Sequence, residues 1–300
     1  MERSTIGDIR DGKKLEEALH SFSPDIVFHL AAQPLVITGI DHPMETFETN
    51  IMGTVHALEA LRSYNKTVVA VMASSDKCYK NQYTTTAYVE TDMLGGNDPY
   101  TASKACTEIV IAAYRESYFN DRQVSVASVR AGNVLGGGDF AAHRLLPDLC
   151  RAAQNHTPII LRNSRAIRPW QYILDVLWGY LTLAGSMCIG GAGYASEYNF
   201  APPPASPMAV KDIISHVLPL WGLNPNIVQT HNAVHNETQT LLIDASKAEH
   251  ILGWKCMMDN NAMLDETAGW YQRYLKNDPA LADYTRLQAD NYLEKVTGNA

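Results

Sequence analysis

The sequence predicts an α/β protein built on a doubly wound parallel sheet, with a second, smaller lobe towards the C-terminus. Short apolar runs alternate with helical patterns through the first half of the chain, and the texture changes after Gly136. Strands that are apolar throughout are typical of a parallel sheet whose two faces are both covered by helices. The βαβα alternation therefore favours a doubly wound sheet.

The first half of the chain contains the predicted strands and helices of this sheet. Strands are predicted at 25–32, 68–73 and 123–134. The first of them, DIVFHLAA, is a continuous apolar run that we expect to be buried on both faces. Helices are predicted at 43–62, which carries an apolar stripe, and at 99–119, where Pro99 takes a favoured first-turn position.

The second half is less regular. It holds a glycine-rich loop, GGGDFAAHRLLPD, then the irregular segment RPWQYI and a proline-rich connector at 201–207. Helices are predicted at 208–218, 246–251 and 261–276, followed by a charged helical tail. We predict a sheet domain at 1–135, the first part of the second lobe at 136–171, a return to the sheet domain at 172–200, and the rest of the lobe at 201–300.

Composition excludes several classes of function. The formal net charge is −8, and Lys and Arg are scattered, which argues against a nucleic-acid or anionic-membrane surface. No apolar stretch approaches the ~20 residues of a membrane span, and no signal-peptide core opens the chain. The five cysteines lack metal-type spacing. We therefore expect reduced thiols, a cytoplasmic location and no bound metal.

Polar residues follow the predicted strands where a ligand site is expected. In open α/β sheets, ligands bind outside the carboxyl ends of the strands. This rule brings 31–33, 74–77 and 131–136 around one crevice. The serine, aspartate and lysine of SSDK, at 74–77, should therefore face a site rather than a surface turn.

The pair Tyr100 and Lys104 is by itself a weak sign of catalysis, since chance pairs on a solvated helix face are common, but Ser75 at the end of the preceding strand and the HLAA strand before it make the sign much more specific. At i and i+4 near the start of a helix, both side chains project from one face. An ammonium near a phenol favours the phenolate, which makes Tyr100 a usable base. Ser75 can hold a substrate hydroxyl in line. Together these residues can take an alcohol proton while hydride leaves the same carbon.

Several longer segments carry a family resemblance. They are HLAAQPLV (29–36), ETFETNIMGT (45–54), SSDKCY (74–79), LGGNDPYTASKA (94–105), VRAGNVLGGGDFA (129–141), RLLPD (144–148), RPWQYI (168–173) and, more weakly, LIDASKAEHILGW (242–254). In these segments the chain resembles the extended short-chain dehydrogenase/reductases and, within that superfamily, the CDP-glucose 4,6-dehydratases. The resemblance implies a Rossmann-like sheet domain that binds NAD.

The resemblance also implies a reaction, in deoxysugar biosynthesis for the lipopolysaccharide O-antigen. Such enzymes oxidise C4 of a nucleotide-activated hexose, eliminate water across C5 and C6, and return hydride to C6. Asp76 would donate a proton to O6, provided that burial keeps it protonated. Lys77 would take the C5 proton or stabilise the enolate, in place of the glutamate of the dTDP branch. The pair can converge only if the chain turns after Ser75, because adjacent strand residues point to opposite faces.

Residue by residue, the resemblance assigns two further sets of contacts. The cofactor-binding residues would be Asp8, Ile9, Leu30, Ala31, Ala32, Gln33, Thr49, Tyr100 and Lys104. The residues holding the nucleotide diphosphate would be Asn133, Arg144, Arg168 and Asn199. An arginine such as Arg168 can clamp phosphate in a fork. Gly53, Trp170, Trp254 and His29 are interpreted instead as packing residues of the core.

The chain departs from the family in two ways. ITGIDHP and QYTTTAYVE replace segments that lie near the sugar in the family. No glycine-rich turn for the pyrophosphate precedes GDIRD (7–11), so the first strands of the sheet are expected to be missing. With that segment restored we expect dehydration of CDP-glucose, whereas the 300 residues alone should bind NAD poorly and show no measurable activity.

Two alternatives remain open at this point, together with the state of assembly. One is an epimerase or reductase of the same superfamily, although these need no acid–base pair after Ser75. The other is an inactive homologue that acts only in binding or dimerisation. A homodimer or higher homo-oligomer is expected, with helices 43–62 and 99–119 paired into a four-helix bundle.

Overall fold

The computed structural model describes residues 3–119, 123–161, 163–203, 208–223, 227–229 and 241–298. The strands are β1 (Ile26–His29), β2 (Val68–Ala73), β3 (Val124–Ala131), β4 (Val134–Leu135), β5 (Ile159–Leu161), β6 (Ile167–Arg168), β7 (Gln171–Tyr172), β8 (Glu197–Phe200), β9 (Met208–Ala209) and β10 (Ile227–Gln229). The helices are α1 (Gly12–Phe22), α2 (Val36–Asp41), α3 (Pro43–Phe47), α4 (Gly53–Ser63), α5 (Pro99–Tyr114), α6 (Leu145–Asn155), α7 (Ile173–Gly190), α8 (Val210–Leu220), α9 (Ser246–Leu252), α10 (Asn260–Leu275) and α11 (Leu281–Thr297).

The central sheet has four strands in the order β1-β2-β3-β8, and every pairing in it is parallel. Successive side chains of β2 point to opposite faces. Val68, Ala70 and Met72 join the core that includes residues of α4 and α5, whereas Val69 and Val71 join the core formed with α7 and β8. The predicted doubly wound parallel sheet is confirmed, and the strand predicted at 68–73 is found with those bounds.

The first strand departs from its prediction. It runs over Ile26–His29 rather than 25–32, and it lies at the edge of the described sheet. Ile26 and Phe28 are exposed to 39% and 36%, so the expectation of burial on both faces is wrong. An apolar run does not reveal whether a strand will have a neighbour on each side, since edge and central strands can share one composition.

Both long predicted helices contain a wider turn. The helix predicted at 43–62 is α3, a π-helical segment at Glu48–Met52 and then α4. The helix predicted at 99–119 is α5 followed by a π-helical segment at Arg115–Phe119. Apolar periodicity does not distinguish these segments from regular helix, and π-bulges frequently occur near functional sites.

A second hydrophobic core is built from residues of α6, α8, α10, α11 and the short strands β4, β5 and β7. The strand predicted at 123–134 divides into β3 and β4, and helices predicted at 208–218, 246–251 and 261–276 are α8, α9 and α10 with bounds shifted by one or two residues. Helices α1, α2, α6 and α7 were not predicted. Of the predicted connector at 201–207, residues 204–207 lie outside the described part of the chain.

Helix α7 contradicts one expectation from composition. Together with the turn that follows it, the segment Ile173–Tyr194 has 22 residues and is long and apolar enough to cross a membrane by length and composition alone. A core helix of a globular protein passes the same test. Here Val176, Leu183 and Met187 are buried against the central sheet. The prediction that no apolar stretch approaches the length of a membrane span was therefore wrong.

Candidate active site

The strand end of β2 forms the turn on which the predicted acid–base pair depends. Ser75 caps a short 3₁₀ helix at Asp76–Cys78, and its Oγ accepts a hydrogen bond from the Lys77 backbone nitrogen at 3.2 Å. Ser75 Oγ also donates to Asp76 Oδ1 at 2.9 Å. The chain thus turns directly after Ser75, which is the condition for Asp76 and Lys77 to converge.

The carboxyl group of Asp76 has one free acceptor. Its side chain is 1% exposed. Within the described residues, Oδ2 is buried and has no hydrogen-bond partner. Buried polar atoms almost always have partners, so an unpaired one at a strand end is an atom that a ligand could complete. Lys77 beside it is partly exposed.

Tyr100 and Lys104 lie near the start of helix α5, and the capped N-terminus of this helix fixes their position. Asp98 caps the helix, because its side chain accepts a hydrogen bond from the Thr101 backbone nitrogen at 3.0 Å. The Thr101 side chain in turn accepts a hydrogen bond from the Asp98 backbone, so the two residues form a capping box. Gly96 lets the preceding loop pass close by, because a Cβ there would lie 2.3 Å from the Ala102 nitrogen. Tyr100 and Lys104 are both buried. We call Ser75, Asp76, Lys77, Tyr100 and Lys104 the Tyr100 cluster.

The pKa values in this cluster are set mainly by burial. Burial raises the pKa of Tyr100 to about 12, with Ser75 acting in the opposite direction and Asp76 in the same one. Burial lowers the pKa of Lys104 to about 8, although the nearby Glu108 and Cys78 raise it. The ammonium was expected to favour the phenolate. In this structure desolvation is the larger influence on the phenol.

A second set of hydrogen-bonded polar residues, centred on Glu108 of α5, was not predicted. Glu108 Oε2 accepts from Ser128 Oγ and from Arg130 Nη2, both at 2.8 Å, and Oε1 accepts from the Ser74 hydroxyl. Arg130 Nη1 donates to the Tyr79 hydroxyl at 2.8 Å, and that hydroxyl donates to Asn199 Oδ1 at 2.7 Å. We call these residues the Glu108 network: Ser74, Tyr79, Glu108, Ser128, Arg130 and Asn199.

Asn199 therefore does not take the position expected from the resemblance. Its side chain is fully buried. Besides accepting from Tyr79, its Nδ2 donates to the Tyr88 and Asp244 carbonyl oxygens at 3.1 and 3.0 Å. Both ends of the amide are engaged within the protein, which argues against the predicted contact with a nucleotide diphosphate. Glu108 could have been noticed in the sequence, since it continues the i+4 spacing of Tyr100 and Lys104.

Asn50 was also missed, and it fixes the loop after β1. This residue lies in the π-helical segment Glu48–Met52. Its Oδ1 accepts from the Gln33 backbone nitrogen at 2.8 Å, and its Nδ2 donates to the Gln33 carbonyl at 3.1 Å and to Ser103 Oγ at 2.8 Å. The Gln33 side chain donates to Thr46 Oγ1 at 2.8 Å. A predicted cofactor residue, Gln33, is thus also a structural link.

The other residues predicted to bind the cofactor lie in more open positions. Leu30 and Ala31 are exposed after β1, and Ala32 and Thr49 are partly exposed. Asp8 is exposed and pairs with Arg10, with its Oδ2 2.6 Å from Nη2, and this hydrogen bond lowers the pKa of Asp8 to about 2. Ile9 packs on Gly53, where a Cβ would lie 2.9 Å from the Ile9 methyl group.

The remaining residues predicted to bind substrate show two unpaired atoms. Asn133 Oδ1 and Arg144 Nε are buried and lack a hydrogen-bond partner in the described ranges. Arg144 Nη2 reaches the Pro34 carbonyl at 3.4 Å, and the Arg144 charge lowers the pKa of Tyr100, so this arginine lies near the Tyr100 cluster. Arg168 is 8% exposed, and its Nη1 donates to the Ile167 carbonyl at 2.8 Å.

The residues interpreted as packing residues are found in the core. Trp170 and Trp254 are buried, and their indole nitrogens donate to the Met208 and Asp175 carbonyls at 2.9 and 3.1 Å. His29 is buried with Nε2 3.3 Å from Thr54 Oγ1, and burial lowers its pKa to about 4.

In the described part of the chain, no three His, Cys, Asp or Glu side chains are grouped so that they could hold a metal ion.

The site thus combines a serine at the end of a parallel strand with a Tyr-x-x-x-Lys pair near the start of a helix, an arrangement suited to proton transfer at a hydroxyl. Residues 3–186 match the family model described as GDP-mannose 4,6 dehydratase. This match covers more than half of the chain, so the protein belongs to that family.

Curated relatives agree with the family. The CDP-glucose 4,6-dehydratase of Salmonella typhimurium is 39% identical over 98% of this chain and 83% of its own length. A dTDP-glucose 4,6-dehydratase of Xanthomonas campestris is 25% identical over 88% of this chain and 77% of its own length. The prediction of a sugar-nucleotide 4,6-dehydratase is confirmed at this level.

Solved structures show the same fold. MoeE5 in complex with UDP-glucose and NAD superposes with a TM-score of 0.79, 23% identity, and coverage of 91% of this chain and 86% of its own. The dTDP-glucose 4,6-dehydratase of Bacillus anthracis, in complex with NAD, gives a TM-score of 0.74 at 22% identity, over 92% and 81%. At these identities the likeness concerns the fold alone.

Proposed function

We propose that this protein dehydrates CDP-glucose to CDP-4-keto-6-deoxyglucose with NAD as cofactor. The observation that carries the proposal is the buried, unpaired Asp76 Oδ2 at the turn after Ser75, close to Tyr100. An acid at this place is needed for elimination and not for simple oxidation. The identity to the Salmonella enzyme favours CDP-glucose over other sugar nucleotides.

The first step uses the side chains of α5 and β2. Tyr100 takes the proton of the C4 hydroxyl, and Ser75 holds that hydroxyl in line. Tyr100 must be a phenolate to take this proton, and the ammonium of the buried Lys104 would stabilise that phenolate against the burial that raises the pKa of Tyr100 to about 12. NAD held beside these residues would supply the hydride chemistry of the reaction.

The same residues support the fit of the cofactor. Leu30 and Ala31 leave the carboxyl end of β1 open, and His29, directly before them, lies close enough to Lys104 for the lysine charge to lower its pKa. Gln33, Thr49, Ala32, Asp8 and Ile9 complete the proposed set of contacts. The buried cation and the open strand end suit a polar, nucleotide-sized ligand.

The second step is elimination across C5 and C6. The C4 ketone acidifies the C5 proton, and Lys77 removes it or stabilises the enolate that forms. Asp76 donates a proton to O6, which leaves as water. The hydrogen bond from Ser75 to Asp76 Oδ1 orients the carboxyl group so that Oδ2 remains free for O6.

The nucleotide diphosphate is proposed to bind between the two lobes, on Asn133, Arg144 and Arg168. Arg144 is well suited, because its Nε is buried without a partner among the described residues and a guanidinium can hold phosphate with two donors. Asn199 is left out of this set because its amide is engaged elsewhere.

The protein is further proposed to act as a homodimer in the cytoplasm. Helical segments 43–63 and 99–119 expose Met44, Met52, Ile109 and Tyr118, which are 71%, 44%, 57% and 45% exposed. Apolar side chains on neighbouring helices suit a helical interface. All five cysteines are free thiols, in keeping with a reducing compartment. Sedimentation at micromolar concentration measures the assembly, and a monomer would contradict the dimer.

The reaction is tested by incubating CDP-glucose and NAD with two forms of the protein, the 300 residues as given and the same chain with a glycine-rich pyrophosphate-binding segment added at its N-terminus, and measuring the mass of the product. From the sequence we expect activity in the extended form and none in the 300 residues alone. The expected product has lost one water, and no NADH accumulates. Asp76→Asn should still oxidise C4 but should slow dehydration by about 10²-fold or more. Stoichiometric NADH would indicate a simple dehydrogenase, and undiminished dehydration by Asp76→Asn would remove Asp76 from the mechanism.

Binding is tested separately by calorimetry. Titration with CDP-glucose should give saturable binding, and Arg144→Ala should weaken it. No binding of CDP-glucose, together with no reaction, would overturn the proposed substrate. Titration with NAD tests the expectation from the sequence of poor cofactor affinity, which micromolar binding would contradict.

A further inference from the structure

Glu108 lies on the face of α5 that carries the proposed catalytic residues. It follows Lys104 by four residues and Tyr100 by eight, so the three side chains are stacked along one side of the helix. Its side chain is 2% exposed. A carboxylate at this depth is stable only when charge and hydrogen bonds compensate it.

The carboxylate of Glu108 joins three elements of the fold. Its Oε1 accepts from Ser74, the residue directly before Ser75, and its Oε2 accepts from Ser128 and Arg130 of β3. The end of β2 is thereby attached to the helix that carries Tyr100 and Lys104. Movement of this strand end against α5 would break a buried hydrogen bond.

Glu108 is also the buried carboxylate that acts on the charge of Lys104. The groups that face Lys104 are Glu108 on the same helix, Cys78 in the turn after β2 and His29 on β1. Burial lowers the pKa of Lys104, and Glu108 is the largest influence that raises it. Arg130 lies on the other side of Glu108, at 2.8 Å, and neutralises part of its charge.

We propose that Glu108 is a positioning residue of the dehydratase site: it fixes the Ser74 end of β2 to α5, and four residues after Lys104 on the same face of α5 it places a carboxylate beside that side chain. The role in dehydration rests on the proposed function. The two physical effects are properties of the protein alone and can be measured without turnover.

The charge effect is tested with Glu108→Gln by competitive labelling. Trace acetic anhydride is reacted with the folded protein over a range of pH, and mass spectrometry of the peptide containing Lys104 gives its titration midpoint. Loss of the carboxylate should lower this midpoint by about one pH unit. The matched control Ser128→Ala removes a hydrogen bond to Glu108 and leaves its charge, so its midpoint should equal that of wild type.

An unchanged or raised midpoint in folded Glu108→Gln would overturn the charge effect. Glu108→Gln leaves Arg130 without its partner and could fail to fold. Glu108→Asp then provides the second measurement, since it keeps the charge at a greater distance. In Glu108→Asp the titration midpoint of Lys104 should be lower than in Ser128→Ala, but by less than about one pH unit. A midpoint above that of wild type would contradict the proposal.

The positioning effect is tested with Ser74→Ala by hydrogen exchange. Without the hydroxyl, the amides of Lys77 and Cys78 should exchange about fivefold to tenfold faster, while those of β1 are unaffected. Unchanged exchange at 77–78 would overturn the attachment. If the wild-type chain gives no dehydrated product but both shifts are found, the proposed function fails and the assignment of Glu108 to Lys104 and Ser74 stands.

Discussion

The Tyr100 cluster and the Glu108 network both include residues of helix α5, but they differ in how their polar atoms are satisfied. In the Tyr100 cluster, Asp76 Oδ2 is buried without a hydrogen-bond partner among the described residues. In the Glu108 network both carboxylate oxygens, the Tyr79 hydroxyl and the Asn199 amide are all bonded, and Arg130 Nε is the exception.

This difference shows how a site and its support can be told apart. Unpaired buried atoms cost free energy, so they persist where a ligand completes them. Paired buried atoms need no ligand and fix the geometry of their neighbours. Variants of the first group should change activity more than stability, and variants of the second group should do the reverse.

The largest expected effect is on the first oxidation, in a comparison of two buried tyrosines. Tyr100→Phe should reduce C4 oxidation by about 10²- to 10⁴-fold, because the base is lost. Tyr79→Phe should leave this rate nearly unchanged but reduce stability by about 1–3 kcal/mol, because Asn199 and Arg130 lose a partner. Single-turnover kinetics and urea unfolding measure the two quantities. Equal losses of activity in both variants would remove the distinction.

Next in size is the loss of the buried ion pair. Arg130→Met should lower the free energy of unfolding by about 3–5 kcal/mol, because Glu108 remains buried without its cation. The double variant with Glu108→Gln should lose less than the sum of the two single losses. Urea unfolding of the four proteins at one pH gives the coupling. Additive losses would show that the two residues act independently.

The third prediction concerns Lys104, whose replacement should raise the free energy of unfolding rather than lower it. Its pKa is about 8 in the folded protein and 10.5 when unperturbed, so protonation favours the unfolded chain. The destabilisation is complete below about pH 8 and disappears above about pH 10.5. Lys104→Met should therefore be more stable than wild type by about 3 kcal/mol at pH 7 and by little at pH 10.5, with oxidation lost. A stability difference independent of pH would contradict the assignment.

The smallest expected effect distinguishes two asparagines that were both predicted to hold the nucleotide diphosphate. Asn199→Ala should cost about 1–3 kcal/mol of stability and leave the KM for the sugar nucleotide unchanged. Asn133→Ala should raise KM with little loss of stability, because its Oδ1 is unpaired among the described residues. An increase in KM for a stable Asn199→Ala variant would restore the substrate contact predicted for Asn199.

Local patterns predicted much of the fold. The run VVAVMA predicted β2 to the residue because β-branched side chains on both faces match a central parallel strand. Pro99 and the capping pair of Asp98 and Thr101 define the start of α5, so the face carrying Tyr100 and Lys104 could be predicted as well. Helix α7 was missed, because an apolar segment buried on a sheet lacks a polar face with clear periodicity.

Long-range contacts account for what the sequence did not reveal. The bond from Tyr79 to Asn199 joins residues 120 positions apart, and no local spacing relates them. Glu108 differs, since its i+4 relation to Lys104 is visible in the sequence. Its partners Ser74 and Ser128 become neighbours only when β2 and β3 pair. The motifs thus predicted the candidate residues, and the pairing of strands decided which of their polar atoms have hydrogen-bond partners.

The apolar helix α7 has a consequence for the order in which the protein is made. A ribosome produces the chain from its N-terminus, and domains generally form as units during synthesis. The strands that bury Val176, Leu183 and Met187 include β2 and β3, and both precede the helix in the chain. The surface that receives this 22-residue segment is therefore already synthesised when the segment emerges. This membrane-like stretch can dock as soon as it appears, before β8 joins the described sheet.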